Sequence, residues 1–265
     1  SLVSLPHLDY GLQKLGPGAP GMEVELGNID TVAGELIDYY ESRGVRPLVV
    51  SEYGISPVNH PVHLNRSFRE KGWLQMKDEL GRETLDAGGC RVFAVADHQV
   101  AHVYVRDAPM LGEVRGFLSE LDGVAEVRAS GEMWGDGVGS QRAGDLVVVA
   151  EPDAWFTYYY WEDDARAPDF ARTVDIHRKP GYDPAELFID PAIRFPKWEV
   201  AKFLAKKKLG MRGLLEVVPL DARLVRGSHG RDVVPDGEKP VLLGGSGGVS
   251  SAEDVYGEIL RAVMG

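Results

Sequence analysis

Three short segments of this 265-residue chain combine charged or imidazole side chains with backbone settings that suit chemistry. They are Pro6-His7-Leu8-Asp9, Ser51-Glu52-Tyr53-Gly54 and Arg226-Gly227-Ser228-His229-Gly230-Arg231. The first two place a carboxylate directly after an apolar run, where charge is seldom present for packing. In the third, glycines bracket a histidine and let the backbone bring an imidazole close to an ion or a substrate. Carboxylates and imidazoles together are the donors that open catalytic sites offer to divalent cations. One cysteine, Cys90, leaves no Cys-x-x-Cys pair, so any metal must be held by Asp, Glu and His. Each segment also has a plainer reading: Asp9 as a helix N-cap, Glu52 as a solvated charge, and Gly-Ser-His-Gly as a turn.

Other imidazoles compete for attention. His98 and His102 share the helical i, i+4 spacing, but the alternation of Ala101, Val103 and Val105 with His102 and Tyr104 says strand and a structural role. His60 and His63 flank a proline turn and suit the surface. His177 stands beside Arg178 and Lys179, a grouping that suits contact with a phosphate ester or a loop scaffold. Ser51, Ser56 and Thr157 offer hydroxyls, yet none joins a helix start to a neighbouring base, so no catalytic nucleophile is assigned.

These residues need elements to hold them. Residues 1–5 read as a short buried strand, and Gly16-Pro17-Gly18-Ala19-Pro20-Gly21 must be loop. Ile29, Val32, Leu36 and Tyr40 predict a helix from about Asn28, stopped by Arg43-Gly44. The apolar run 48–51 then suits a strand buried on both faces, completing a βαβ unit. In such sheets ligands gather beyond the strand ends, which puts 6–13 and 52–55 on one rim.

Further along, a short helix is expected at 63–69, strands at 74–77, 92–96 and 101–105, a helix at 110–121, and strands at 125–128 and 145–150. A glycine-rich turn at 131–139 lies between the last two. The strand–helix–strand grouping suggests a smaller α+β lobe inserted at about 74–143 within one domain spanning 1–265. The aromatic run 155–161 reads as a buried strand or a binding wall, with 163–168 as its exit loop. Strands near 214–218 and 241–243, a glycine loop, and a helix with Val255, Ile259, Leu260 and Val263 on one face close the chain.

The layout Asp9-x-x-x-Gln13 before Gly16-Pro17, then Ser51-Glu52-Tyr53-Gly54, then Gly227-Ser228-His229-Gly230 resembles the nucleotide pyrophosphatase/phosphodiesterase group of the alkaline phosphatase superfamily. Gly144-Asp145-Leu146-Val147-Val148-Val149-Ala150-Glu151-Pro152 extends the likeness. The resemblance implies an α/β sandwich with a mostly parallel central sheet. It also implies a two-metal site, zinc or manganese, at which a Thr or Ser attacks phosphorus. Asp9 matches the Asp of the family's Asp-x-x-x-His pair, and His229 its last His ligand. Gln13 stands where the family has His, and Glu52-Tyr53 where it has Asp-His. The implied metal set is therefore Asp9, Gln13, Glu52, Tyr53 and His229, with His177 as a substrate contact. The family's remaining metal-binding Asp and its nucleophile would lie upstream of Ser1, so the 265 residues alone are expected to be inactive. A phosphodiesterase or pyrophosphatase is the expected parent activity. The alternatives are a non-catalytic binding protein on the same fold, or a phosphomutase or phosphotransferase.

The formal charge of −12 argues against a nucleic-acid footprint, which needs surplus Lys and Arg. The basic run at Lys202, Lys206, Lys207 and Lys208 reads as a solvated helix face. No window approaches the roughly 18 apolar residues of a spanning helix, and no signal segment opens the chain. The expected partner is a small phosphate ester, with no membrane partner and a cytoplasmic location. The oligomeric state is not legible.

Overall fold

A computed structural model describes residues 1–134, 142–245, 247, 249 and 251–264. Residues 1–5 are exposed coil rather than a strand, with Leu2 almost wholly in solvent. Helix α1 (His7–Leu15) begins directly after Pro6 and buries Gln13. Asp9 sits in its first turn, where a carboxylate meets the positive end of the helix, and the N-cap position is Pro6. Helix α2 (Met22–Glu41) starts six residues before the expected Asn28. The start is set by the left-handed Gly21, by buried Met22, and by Glu23 and Glu25 in the first turn.

Strand β1 (Val49–Val50) is only two residues long, and Val50 is half exposed. There follow β2 (Ser56–Pro57), β3 (His60–Val62), α3 (Leu64–Glu70), β4 (Met76–Glu79), β5 (Arg82–Leu85), β6 (Val92–Asp97) and β7 (Val100–Val105). Helix α4 (Leu111–Ser119), β8 (Val124–Ala129), α5 (Ser130–Trp134), β9 (Leu146–Ala150) and β10 (Ala154–Phe156) come next. The glycine-rich turn expected at 131–139 is taken up by α5 as far as Trp134, and its remainder lies outside the described residues. The chain closes with α6 (Pro196–Lys208), β11 (Gly227–Ser228), β12 (Leu242–Leu243) and α7 (Asp254–Met264). No strand forms at 214–218.

The expected mostly parallel central sheet is not what these strands build. β1 pairs antiparallel with β12, so the proposed βαβ unit is absent, and among the named strands only β3 and β10 run parallel. The widest sheet is antiparallel, in the order β6-β7-β9-β8. Period-2 patterning explains it: Val92, Ala94 and Ala96 on β6 and Ala101, Val103 and Val105 on β7 are buried, while the intervening residues are not. β9 is the one strand of this sheet buried throughout. Because β9 shares a sheet with β6, β7 and β8, we propose that any inserted lobe beginning near 74 runs on through Ala150.

The aromatic run supplies the core. Trp155, Phe156, Tyr158, Tyr159, Tyr160 and Trp161 are each at most 1% exposed, although only the first two lie in a strand. Their rings pack edge-on or tilted, with the Tyr158–Tyr159 and Tyr159–Trp161 centroids 5.1 and 4.7 Å apart. The Tyr158 hydroxyl is buried and unpartnered among the described residues. A buried hydroxyl without a partner costs stability, so Tyr158→Phe is expected to raise unfolding stability by up to about 1 kcal/mol. A clear loss in a urea titration would count against this account of the core.

His63 lies at the edge of the same core, its Nδ1 2.6 Å from Thr157 Oγ1. Burial, then Arg66 and His60, hold its imidazole down to about 4. The unfolded chain takes up this proton near pH 6.5, whereas the folded chain refuses it until about pH 4. The contribution is therefore complete above pH 6.5 and is lost as pH falls across that window. The native chain should lose about 3 kcal/mol more than His63→Gln between those two pH values. Parallel stability–pH curves for the two proteins would contradict this.

Candidate active site

The rim is assembled by pairings between distant parts of the chain. β2 and β11 pair antiparallel with Ser56 opposite Ser228, which sets the Glu52–Tyr53 loop beside His229. The C-terminal end of α1 docks on the same strand, where the Arg226 amide donates to the Gln13 carbonyl at 2.9 Å. Gly227 permits that approach: a Cβ there would stand 2.3 Å from the Leu12 carbonyl oxygen. Gly54 does the same on the other loop.

On this frame Gln13 Nε2 donates to Asp9 Oδ1 at 2.9 Å, and the Tyr53 hydroxyl donates to the same oxygen at 3.2 Å. The Tyr53 ring lies flat on the His229 imidazole, with centroids 3.6 Å apart and planes 8° from parallel. His229 in turn faces His98 at 3.8 Å, and His98 faces Tyr182 at 4.5 Å. Four rings thus form one continuous stack. The Tyr182 phenol lies beside the Gln13 amide, and Gln13 Oε1 is buried without a partner among the described residues.

The electrostatics follow from burial and from three carboxylates. Burial lowers the His229 imidazole, while Asp9, Asp97 and Glu52 each pull it back up. His98 is buried, and it is pushed down to about 2 by burial and by its neighbour His229. The Tyr53 phenol is pushed up to about 12, by burial first and then by Asp9, and keeps its proton at neutral pH. Burial also raises Tyr182, with Asp9 adding to it.

The structure therefore brings together Asp9, Gln13, Tyr53 and His229. Glu52 is exposed and is felt at His229 only through its charge. His177 is exposed, and no hydrogen bond, ion pair or ring contact among the described residues ties it to the rim. Its basic neighbours are already engaged: Lys179 is buried between Asp183 at 2.7 Å and Glu186 at 2.6 Å, and Arg178 pairs with Asp169 at 2.8 Å.

Asp97 and Tyr182 were missed from sequence, and His98 was read there as structural. His98 occupies a two-residue hairpin turn at φ 58°, a left-handed conformation that is costly for a non-glycine residue. Such strain persists where neighbours over-determine it. Here the Phe156 amide donates to the His98 carbonyl, and Ser228 Oγ lies 3.4 Å from its Nδ1. The signal available in advance was a buried-strand pattern running straight into Asp97-His98-Gln99 with no glycine to make the turn.

Residues 1–183 match the family model for type I phosphodiesterases / nucleotide pyrophosphatases, which is more than half of the chain. The chain belongs to that family. This agrees with the nucleotide pyrophosphatase/phosphodiesterase resemblance carried by the ligand segments. No curated protein matches it. Among solved structures it is similar to phosphonoacetate hydrolase from Sinorhizobium meliloti 1021 in complex with phosphonoacetate. That match has 18% identity and a TM-score of 0.41, over 60% of this chain and 37% of the other. Human ectonucleotide pyrophosphatase / phosphodiesterase 5 matches at 18% identity and a TM-score of 0.40, over 58% of this chain and 38% of the other. The murine protein of that name matches at 16% and 0.40, over 84% and 45%. This family member thus spans less than half the length of the structures it matches. At these scores the likenesses assign no residue roles.

The residues of this phosphodiesterase-family chain do not fit a two-zinc centre. A glutamine and a protonated tyrosine stand in place of two imidazoles. Among the described residues no three of His, Cys, Asp and Glu are grouped to hold an ion. The amide offers a different donor: Gln13 Nε2 faces Asp9, while Gln13 Oε1 is buried with no partner among the described residues, and amide and carboxylate oxygens suit a hard cation better than zinc. A cavity of about 490 Å³ lined by His63, Arg66, Tyr159, Asp164, Asp221 and Arg223 shares no residue with the rim. Its guanidiniums are already paired with Asp164 and Asp221.

Proposed function

We propose that this chain carries part of the active site of a phosphoester hydrolase that acts on small molecules at a phosphodiester or pyrophosphate bond. In this reading Asp9, Gln13 and His229 hold one divalent cation. The observation that supports it is the unpartnered Gln13 Oε1 beside Asp9, on a rim where Asp9, Asp97 and Glu52 all act on His229. A rim of that charge repels a phosphate ester unless a cation offsets it. When bound, the cation would supply that offset and polarise a phosphoryl oxygen.

The chain's own residues have narrower tasks. Asp9 anchors the rim through Gln13 and Tyr53. His98, held neutral and fixed at its turn, presents a rigid face to His229 and keeps that imidazole in one orientation. Tyr53 retains its proton at neutral pH and can donate either to Asp9 or to an ester oxygen. No nucleophile is assigned.

One observation favours a second reading, a non-catalytic binding protein. Gln13 and Tyr53 both donate to Asp9 Oδ1, which satisfies that oxygen with no ion. The two readings part on metal content and turnover of the full-length protein. Hydrolysis predicts about one manganese or magnesium ion per chain and cleavage of bis-p-nitrophenyl phosphate. It also predicts a loss of at least about 100-fold in kcat/KM for His229→Ala. A full-length protein holding well under one ion per two chains, with equal turnover by the variant, would favour the binding protein.

A further inference from the structure

We infer that α6 and its flanks, residues 194–212, form a docking surface for an anionic phospholipid bilayer. A helix in a globular protein normally hides one face, yet none of the thirteen residues of α6 is buried. The exposed side chains are large and apolar: Leu209 is 74% exposed, Phe195 64%, Trp198 63%, Met211 56% and Leu204 55%. Among them stand Arg194, Lys197, Lys202, Lys206, Lys207, Lys208 and Arg212, against the single carboxylate of Glu199, in a chain whose formal charge is −12. Lys202 pairs with Glu199 at 2.7 Å and Arg212 approaches Asp169 at 3.5 Å, while Lys197, Lys206, Lys207 and Lys208 have no ion-pair partner among the described residues.

The arrangement decides between occupants. A protein groove takes one apolar stripe at i, i+3, i+4 and i+7. Here Val200 and Leu204 lie on one side of the helix and Trp198 and Leu209 on another, with lysines between. A lipid surface accepts that mixture. Lysine stems lie along the apolar zone while their ammonium groups reach anionic headgroups, and tryptophan favours the headgroup level. Duplex nucleic acid would satisfy the charge and leave the aliphatic side chains in water. The acidic remainder of the molecule is repelled by the same bilayer within about a Debye length, 8–10 Å, so the contact would orient the protein with α6 down. Such a contact needs no spanning segment, and among the described residues no helix is long and apolar enough to cross a membrane.

The test is flotation of the intact chain with vesicles of phosphatidylcholine alone or mixed with phosphatidylglycerol. Binding to the anionic vesicles should exceed binding to the neutral ones at least about tenfold and weaken with salt. Combined Lys206→Glu, Lys207→Glu and Lys208→Glu should remove most of that gain. Trp198→Ala should weaken binding several-fold at a salt level where charge is screened. Since all four residues are exposed, the variants should keep the native thermal transition, and Trp198→Ala serves alone if the triple variant does not. Equal binding to both vesicle types would overturn the proposal, as would anionic binding unchanged by the triple variant. So would equally tight binding to duplex DNA lost in the same variant, or a lipid-free dimer that the triple variant dissolves.

Discussion

Gly54→Ala should cost the protein about 3 kcal/mol and lower its melting temperature by roughly 6–12 °C. The added Cβ would lie 1.8 Å from the Glu238 carbonyl oxygen and 2.6 Å from its carbon. Both are backbone atoms and cannot rotate away, so the 52–54 loop or the 236–238 turn has to move. The 52–54 loop carries Tyr53, and its movement would pull that ring off His229 and break its bond to Asp9. The variant should therefore lose any ion bound at the rim along with stability. A melting temperature within a degree or so of the native one would show that the loop yields more easily than this geometry allows.

Trp161→Ala should cost about 3–5 kcal/mol, measured as a lower urea midpoint at unchanged slope. The indole is fully buried, packs against Tyr158, Tyr159 and Tyr160, and donates from Nε1 to Asp164 at 2.9 Å. Truncation leaves a cavity among rings that cannot collapse into it, and it removes the indole's hydrogen bond to Asp164, an exposed carboxylate that keeps Arg66 beside it. The Phe156–His98 hydrogen bond links the aromatic core to the rim and Trp161 takes no part in it, so the variant should still bind ions while folded. Loss of ion binding with stability intact would mean that core and rim are coupled more tightly than that one bond.

What the sequence conveyed depended on range. Alternation along Val92–Asp97 and Val100–Val105 is a local signal, and both strands formed where the pattern put them. The expected core role of the aromatic run was likewise local in origin and is seen in the structure. Val49 and Val50 looked like a central strand because apolar runs do not reveal their neighbours. Their partner proved to be Leu242 and Leu243, near the other end of the chain. Asp9, Gln13, Tyr53 and His229 were legible through the family resemblance, and three contacts join all four. Asp97, His98 and Tyr182 were not, since a ring stack between residues more than eighty positions apart leaves no periodicity. Gln13 was read as a weakened ligand. Its side-chain oxygen, buried and without a partner among the described residues, is what the proposed cation site rests on.

The two-residue ladders β1–β12 and β2–β11 carry a consequence for how the rim comes into being. They join Val49 to Leu243 and Ser56 to Ser228, among the most distant pairings in the molecule, whereas β6 and β7 meet across a two-residue turn. Closing so long a loop is slow and is repaid by few hydrogen bonds, so these ladders should zip last during folding and open first in the native state. Amide hydrogens at Ser51, Val58 and Val241 should then exchange faster than those of β7 and β9, with the rim as the last part to lock and the first to breathe.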